Sequence, residues 1–212
     1  MASLSLMKRR AQGVKYEGEL FQSMDLSSML AFGSRWTDCS FYSCDLSMAV
    51  LSRSVFEHVS FVDCDLPMSR FDGVEMRDVT FENCRAKHAD FTAATPLENV
   101  KFLDCLLHYS TFANATVRDI RFIDSNCHGS DLRFIDGGKT AVYQGTVLWN
   151  ASVQLGCQFL SGTFDARSAD LFTAMVARRH PDPDKSKLLR EIAGTQFGVV
   201  ERLMNEPDLQ EV

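Results

Sequence analysis

The sequence predicts an all-β solenoid: a four-sided (quadrilateral) coil over residues 14–165, preceded by a segment of residues 1–13 and closed by an α-helical cap of residues 166–212. Three observations carry this. Phenylalanine stands at Phe21, Phe41, Phe61 and Phe81, then at Phe102 and Phe122, a single column with one one-residue slip. Between these an apolar residue recurs at every fifth position, as in Phe41, Leu46, Leu51, Phe56 and Phe61. After Asp165 the apolar spacing changes to that of amphipathic helices. A five-residue beat suits neither the period of a helix nor the alternation of a strand. It suits a chain that runs straight briefly, turns a corner and repeats, so that four beats close one twenty-residue coil.

The beat runs through Leu26, Trp36 and onward to Phe91, slips near Pro96, and resumes from Leu97 to Leu132. Two residues before each beat stands a small or branched residue, for example Cys39, Cys44, Ala49, Ser54 and Val59. Cys44, Asp45, Leu46, Ser47 and Met48, then Cys64, Asp65 and Leu66, Ala89 to Thr92, and Ser130 to Arg133 follow one pattern: small, Asp, Leu or Phe, then two further residues. In this the chain resembles the pentapeptide-repeat proteins, over residues 14–135 closely and over 140–164 loosely. The resemblance implies a right-handed β-helix with short strands on each side. It also implies that the central residue and the one two before it point inward.

Each side then reads as a column. The first carries the phenylalanines. The second carries Leu26, Leu46, Leu66, Ala86, Leu107 and Cys127; the third Leu51, Phe71, Phe91, Phe112 and Leu132; the fourth Trp36, Phe56, Met76, Leu97 and Val117. Stacking at strand spacing, about 4.8 Å per coil, fills the interior with like side chains. Burying each Leu or Phe contributes on the order of 1.5–3 kcal/mol.

Composition fits a soluble single domain, with 45% hydrophobic and 24% charged residues and a net charge of -6. No apolar run reaches membrane-spanning length. The charges of Lys8, Arg9 and Arg10 follow an apolar patch, the reverse of a signal peptide. A cytoplasmic location is therefore expected. Cys44, Cys64, Cys84 and Cys105 fall in one column at the small position, where thiols pack as compact hydrophobes. Parallel stacking is poor disulfide geometry, and the paired spacing of a zinc ribbon does not occur. His108 and His128 share a column and are expected to face solvent. No nucleophile–base order, phosphate loop or metal motif occurs. No catalytic residue, cofactor or metal is expected.

Charge is more informative. Residues 21–165 hold eighteen acidic and eleven basic residues, so the acidity belongs to the coil. Two outward columns order it. One is Asp38, His58, Asp78, Asn99 and Asp119; the other is Ser43, Asp63, Asn83, Asp104 and Asp124. Such ladders favour a basic partner, although Asp and Asn are also what tight corners select. Asp38, Asp63, Asp78, Asp104, Asp119 and Asp124 are the candidate partner-binding residues. Lys101 and Arg121 stand between the columns.

Gly137 to Thr140 signals a turn, with a looser beat at Val147, Trp149, Cys157, Phe159 and Phe164, as if a loop over 137–146 interrupts the last coils. Residues 167–180 read as a helix with Leu171, Phe172, Met175 and Val176 on one face. Pro181 to Asp184 breaks it, and a second helix follows with Leu188, Leu189, Ile192 and Ala193. These helices are expected to cover the coil's open edge. Leu189, Ile192, Val200 and Leu203 are the candidate dimer contacts, and a homodimer is expected.

Ser43 to Ala49 and Cys84 to Phe91 are similar to segments of the quinolone-resistance and topoisomerase-poison immunity members of the family. That resemblance implies a non-enzymatic, DNA-like acidic rod acting on DNA gyrase or topoisomerase IV, conferring antibiotic resistance or self-immunity. It implies no direct nucleic-acid contact. The alternatives are a scaffold or secreted bacterial effector presenting its surface to another protein, and a structural repeat protein without a direct target.

Overall fold

The computed structural model describes residues 12–134, 136–148 and 151–153 and the backbone of 158–160. The expected helical cap, with Leu189, Ile192, Val200 and Leu203, lies outside these residues, as do Trp149, Cys157 and Phe164.

The described strands are β1 (Lys15–Glu17), β2 (Leu20–Gln22), β3 (Arg35–Thr37), β4 (Ser40–Tyr42), β5 (Val55–Glu57), β6 (Ser60–Val62), β7 (Glu75–Glu82), β8 (Leu97–Leu103), β9 (Val117–Ile123), β10 (Asp131–Leu132), β11 (Ala141–Gln144), β12 (Ser152–Val153) and β13 (Gln158–Leu160). Each pairs in parallel with the strand one coil above. The second and third sides pair through single bridges such as Asp45 with Asp65 and Val50 with Arg70. Every side thus satisfies its backbone coil to coil, as in Leu46 N–H to Asp65 O at 2.6 Å and Phe71 N–H to Asp90 O at 2.7 Å.

The phenylalanine column is in register: Phe21 with Phe41, Phe41 with Phe61, Phe61 with Phe81, Phe81 with Phe102, and Phe102 with Phe122. It continues through Tyr143 to Phe159. The other three columns are buried as expected, and so are the positions two residues before the beats, including Cys39, Cys44, Cys64, Cys84 and Cys105. Rings on opposite sides meet edge to face across the core, as with Phe71 and Phe81 at 6.0 Å and 90°, an arrangement aromatic quadrupoles favour.

The corners explain the five-residue beat. Every fifth residue adopts a left-handed backbone, for example Asp38 (φ 51), Ser43 (φ 50), Met48 (φ 58) and Arg53 (φ 55). That conformation costs an L-residue about 1–2 kcal/mol, least for Asn and Asp. The chain accepts this because each corner redirects an inward pair of side chains into the core.

The slip near Pro96 is absorbed where Thr95 N–H bonds Val74 O and Leu97 N–H bonds Thr116 O, restoring Met76 to Leu97 pairing. The second irregularity corrects the sequence reading. It ends at Thr140, with the 3-10 turn Gly138–Thr140. Ala141 already pairs with Ile120. Residues 141–146 are ordinary coil: Tyr143 joins the phenylalanine column, and Thr146 is buried above Ser125 at the head of the cysteine column. The beat falls on Leu148, which is buried, and not on Val147, which pairs outward with Asn126. A glycine pair suggests a long loop, but one left-handed residue, Gly137 (φ 78), suffices to turn the chain back.

Candidate protein-docking surface

The corner between the fourth and first sides carries Asp38, His58, Asp78, Asn99 and Asp119. Here each aspartate has a side-chain partner, although only Asp119 has a permanent cation. His58 Nδ1 lies 3.2 Å from Asp38, and His58 Nε2 lies 3.7 Å from Asp78. Asn99 donates to Asp78 at 2.5 Å. Arg121 holds Asp119 in a two-point pair at 2.9 and 3.1 Å. Those hydrogen bonds and the guanidinium charge keep the Asp119 carboxyl below its ordinary range, while partial burial opposes them. The fourth side beside this corner is a ladder of alternating sign. Arg35 pairs with Glu57 at 3.1 Å, Glu57 with Arg77 at 3.4 Å, and Arg77 with Glu98 at 3.6 Å.

The corner between the first and second sides differs. Asp63 accepts from Asn83 at 2.6 Å, a neutral partner. Asp63, Asp104 and Asp124, together with exposed Glu82 beside them, make no ion pair among the described residues. Nor do these three aspartates cap a turn through their side chains. Capping falls to the residue before each beat on the second and third sides: Asp45 accepts from Ser47 N–H at 2.8 Å and Asp90 from Thr92 N–H at 2.9 Å. The six sequence-predicted aspartates therefore divide. Asp38, Asp78 and Asp119 sit on a corner that also carries His58 and Arg121, and Asp63, Asp104 and Asp124 on one with no histidine or ion-pair partner among the described residues, with the first side between the two corners.

The histidine expectation needs correction. His108 and His128 are half-buried against each other, with ring centroids 6.0 Å apart at 78°. His108 Nε2 is enclosed without a hydrogen-bond partner among the described residues. Burial foremost, then the charges of His128 and Lys87, push the His108 pKa down, opposed by a hydrogen bond with Asn126. No group of three or more His, Cys, Asp or Glu suited to a metal occurs among the described residues. Where the 3-10 turn departs from the coil, a shallow cleft of about 560 Å³ opens, lined in part by Glu98, Asn99, Arg118, Asp119 and Asp136. It contains carboxylates and one guanidinium but no nucleophile–base pair.

The cysteine column is closed. Cys64 and Cys84 Sγ each donate to a backbone carbonyl in the coil below, Phe41 O and Phe61 O, at 3.4 Å. The influence of neighbouring sulfurs along the column, which acts in both directions, and burial push the thiols of Cys64 and Cys84 up to about 12. Such thiols are inert.

Sequence reasoning missed the corner between the second and third sides. Met48, Met68, His88 and Tyr109 stand there in one exposed column. The signal was available, since each lies two residues after a second-side beat.

The model of the family described as pentapeptide repeat region matches residues 34–112. No curated protein matches the chain. Among solved structures, a trypsin-treated form of QnrB1, a plasmid-mediated fluoroquinolone resistance protein, is 20% identical, with 79% of this chain and 90% of that one covered and a TM-score of 0.38. HetL, a pentapeptide repeat protein involved in heterocyst differentiation regulation from the cyanobacterium Nostoc sp. strain PCC 7120, is 15% identical, with 76% and 91% covered and a TM-score of 0.41.

Proposed function

This chain is a pentapeptide-repeat protein, and on that premise we propose that it is a non-enzymatic docking rod whose target is a type II topoisomerase, DNA gyrase or topoisomerase IV, protected from an inhibitor by the bound rod. The observation that carries the reading is the anionic corner. Asp63, Asp104 and Asp124 share one corner column at coil spacing, with Glu82 beside it, and have no cation partner among the described residues. A rigid anionic ladder presents to lysine and arginine what a phosphate backbone presents. The resemblance of Ser43 to Ala49 and Cys84 to Phe91 to quinolone-resistance proteins supplies the choice of enzyme. On this reading the protein works in the cytoplasm, where its target lies, as a homodimer joined through the C-terminal segment. It gives its host resistance or self-immunity.

The test is supercoiling by purified gyrase, and drug-stabilised DNA cleavage, with and without the full-length protein at micromolar concentration. Reduced cleavage in the presence of a quinolone or a topoisomerase poison is the expected result. Unchanged supercoiling and cleavage with both enzymes would remove the topoisomerase reading.

One observation favours a second reading, a docking rod for a different protein. Asp38 and Asp78 share His58 as a side-chain partner, and the fourth side is neutralised by its Arg–Glu ladder. Aspartates without a histidine or ion-pair partner thus stand along one flank of the first side and not along both.

A further inference from the structure

The corner between the second and third sides is built against the preference of its own backbone. Met48, Met68, His88 and Tyr109 hold left-handed φ values of 58, 55, 57 and 57. The same column tolerates Ser28 and Gly129, and the anionic corner fills the equivalent positions mainly with Asp, Asn and Ser. Asp and Asn suit this conformation, whereas long apolar side chains do not. The backbone therefore gains nothing from Met48, Met68 and Tyr109, and they are also 50%, 55% and 48% exposed. Outliers of this kind point to a use of the surface. The ridge is also held in shape: His88 stacks on Tyr109 at 5.3 Å and 15°, and Tyr109 Oη lies 3.0 Å from His128 Nε2.

The second side runs between this ridge and the anionic corner. Its own outward surface adds exposed Leu106 and the self-compensated pair of Arg85 and Asp65. We infer that the second side is the docking face, and that it takes a protein groove with Lys or Arg along one wall and apolar side chains along the other. The inference rests on the docking-rod reading above and names its face and partner. Charge complementarity selects the basic wall, set against Asp63, Asp104 and Asp124. The uncharged ridge of Met48, Met68 and Tyr109 selects the apolar wall. A nucleic acid is repelled by the anionic edge and finds no counter-charge on the ridge.

The test uses the full chain with a benzophenone photocrosslinker in place of Lys87, on the second side, and separately in place of Arg53, on the corner between the third and fourth sides, irradiated in the cell of origin. Two variants are read in the Lys87 background. Met48→Asn with Met68→Asn and Tyr109→Asn removes the ridge with residues that suit the corner. Asp63→Asn with Asp104→Asn and Asp124→Asn removes the edge. The expected result is one protein adduct from position 87, absent from position 53, with its yield lowered about tenfold or more by each variant. Met48→Asn and Met68→Asn keep or raise the melting temperature, and Tyr109→Asn lowers it by the loss of the His88 stack and the His128 hydrogen bond. If the ridge variant unfolds, Met68→Asn alone is read in its place. The inference is overturned by no adduct, by the same adduct from position 53, by a nucleic-acid adduct, by an adduct of twice the chain's mass (a second copy), or by a yield indifferent to the ridge variant. Mass spectrometry of the adduct separates the two claims. A protein other than a topoisomerase upholds the face and contradicts the topoisomerase reading.

Discussion

The ring of Phe61 lies 4.7 Å from that of Phe81, with planes 4° from parallel, although the two residues are separated by a full coil. Phe41 makes the same contact from below, at 4.7 Å and 9°. Each ring is both packing partner and spacer for its neighbours. Phe61→Ala leaves a cavity between two rings that the backbone hydrogen bonds prevent from closing. A loss of about 3–5 kcal/mol in chemical denaturation is expected, and a smaller one for Phe61→Leu.

The buried cysteines among the described residues predict thiols that stay silent in titration. Cys44, Cys64, Cys84, Cys105 and Cys127 are buried and should resist a disulfide-exchange reagent in the native state near pH 8, reacting only after denaturant is added. The sign of the pH dependence follows. The folded thiols of Cys64 and Cys84 titrate at about 12 against 9.0 for an ordinary thiol. Their contribution to stability is complete below pH 9.0 and declines as pH rises from there towards about 12. Denaturation midpoints measured across that window should fall, and substituting Ala at both positions should flatten the fall.

Two glycines share a left-handed backbone but not the same surroundings. A Cβ at Gly33 (φ 65) meets nothing within 4 Å, whereas one at Gly137 (φ 78) would lie 1.7 Å from Val117 O. Gly33→Ala should therefore lose only the conformational cost, about 1–2 kcal/mol. Gly137→Ala should lose clearly more, because the obstacle is backbone of β9. Melting curves of the two variants check this, and equal losses would contradict the placement of Gly137 against that strand.

At Met48 and Met68 the expectation runs the other way. Asn suits their left-handed backbone better, so Met48→Asn and Met68→Asn should each leave stability unchanged or raise it by up to about 1 kcal/mol. A loss would show that these side chains support the coil.

Much of this was legible in the sequence, because identical side chains twenty residues apart can be in step only if the chain is. The columns of Phe61, Leu66, Phe71 and Phe56 follow from counting alone. What counting missed has physical causes. Tyr143 continues the phenylalanine column, yet Gly137 and Gly138 read as a long loop, since the sequence does not show that a single left-handed residue completes the turn. His108 and His128 follow inward residues and still pack half-buried, because side-chain contact between coils exceeds what the beat encodes. The division of the acidic columns was hidden as well. Whether His58 bridges Asp38 and Asp78, or Arg121 reaches Asp119, depends on side-chain geometry at a corner and not on spacing.

The measurement that tests the central claim most directly compares the two acidic corners as surfaces for one partner. Binding of purified gyrase and topoisomerase IV is measured for the native chain, for Asp63→Asn with Asp104→Asn and Asp124→Asn, and for Asp38→Asn with Asp78→Asn. The corner without a histidine or ion-pair partner should govern recognition: the first variant weakens binding about tenfold or more, and the second stays within about twofold. Equal weakening by both, or loss confined to Asp38 and Asp78, would contradict the assignment of docking to the corner of Asp63, Asp104 and Asp124.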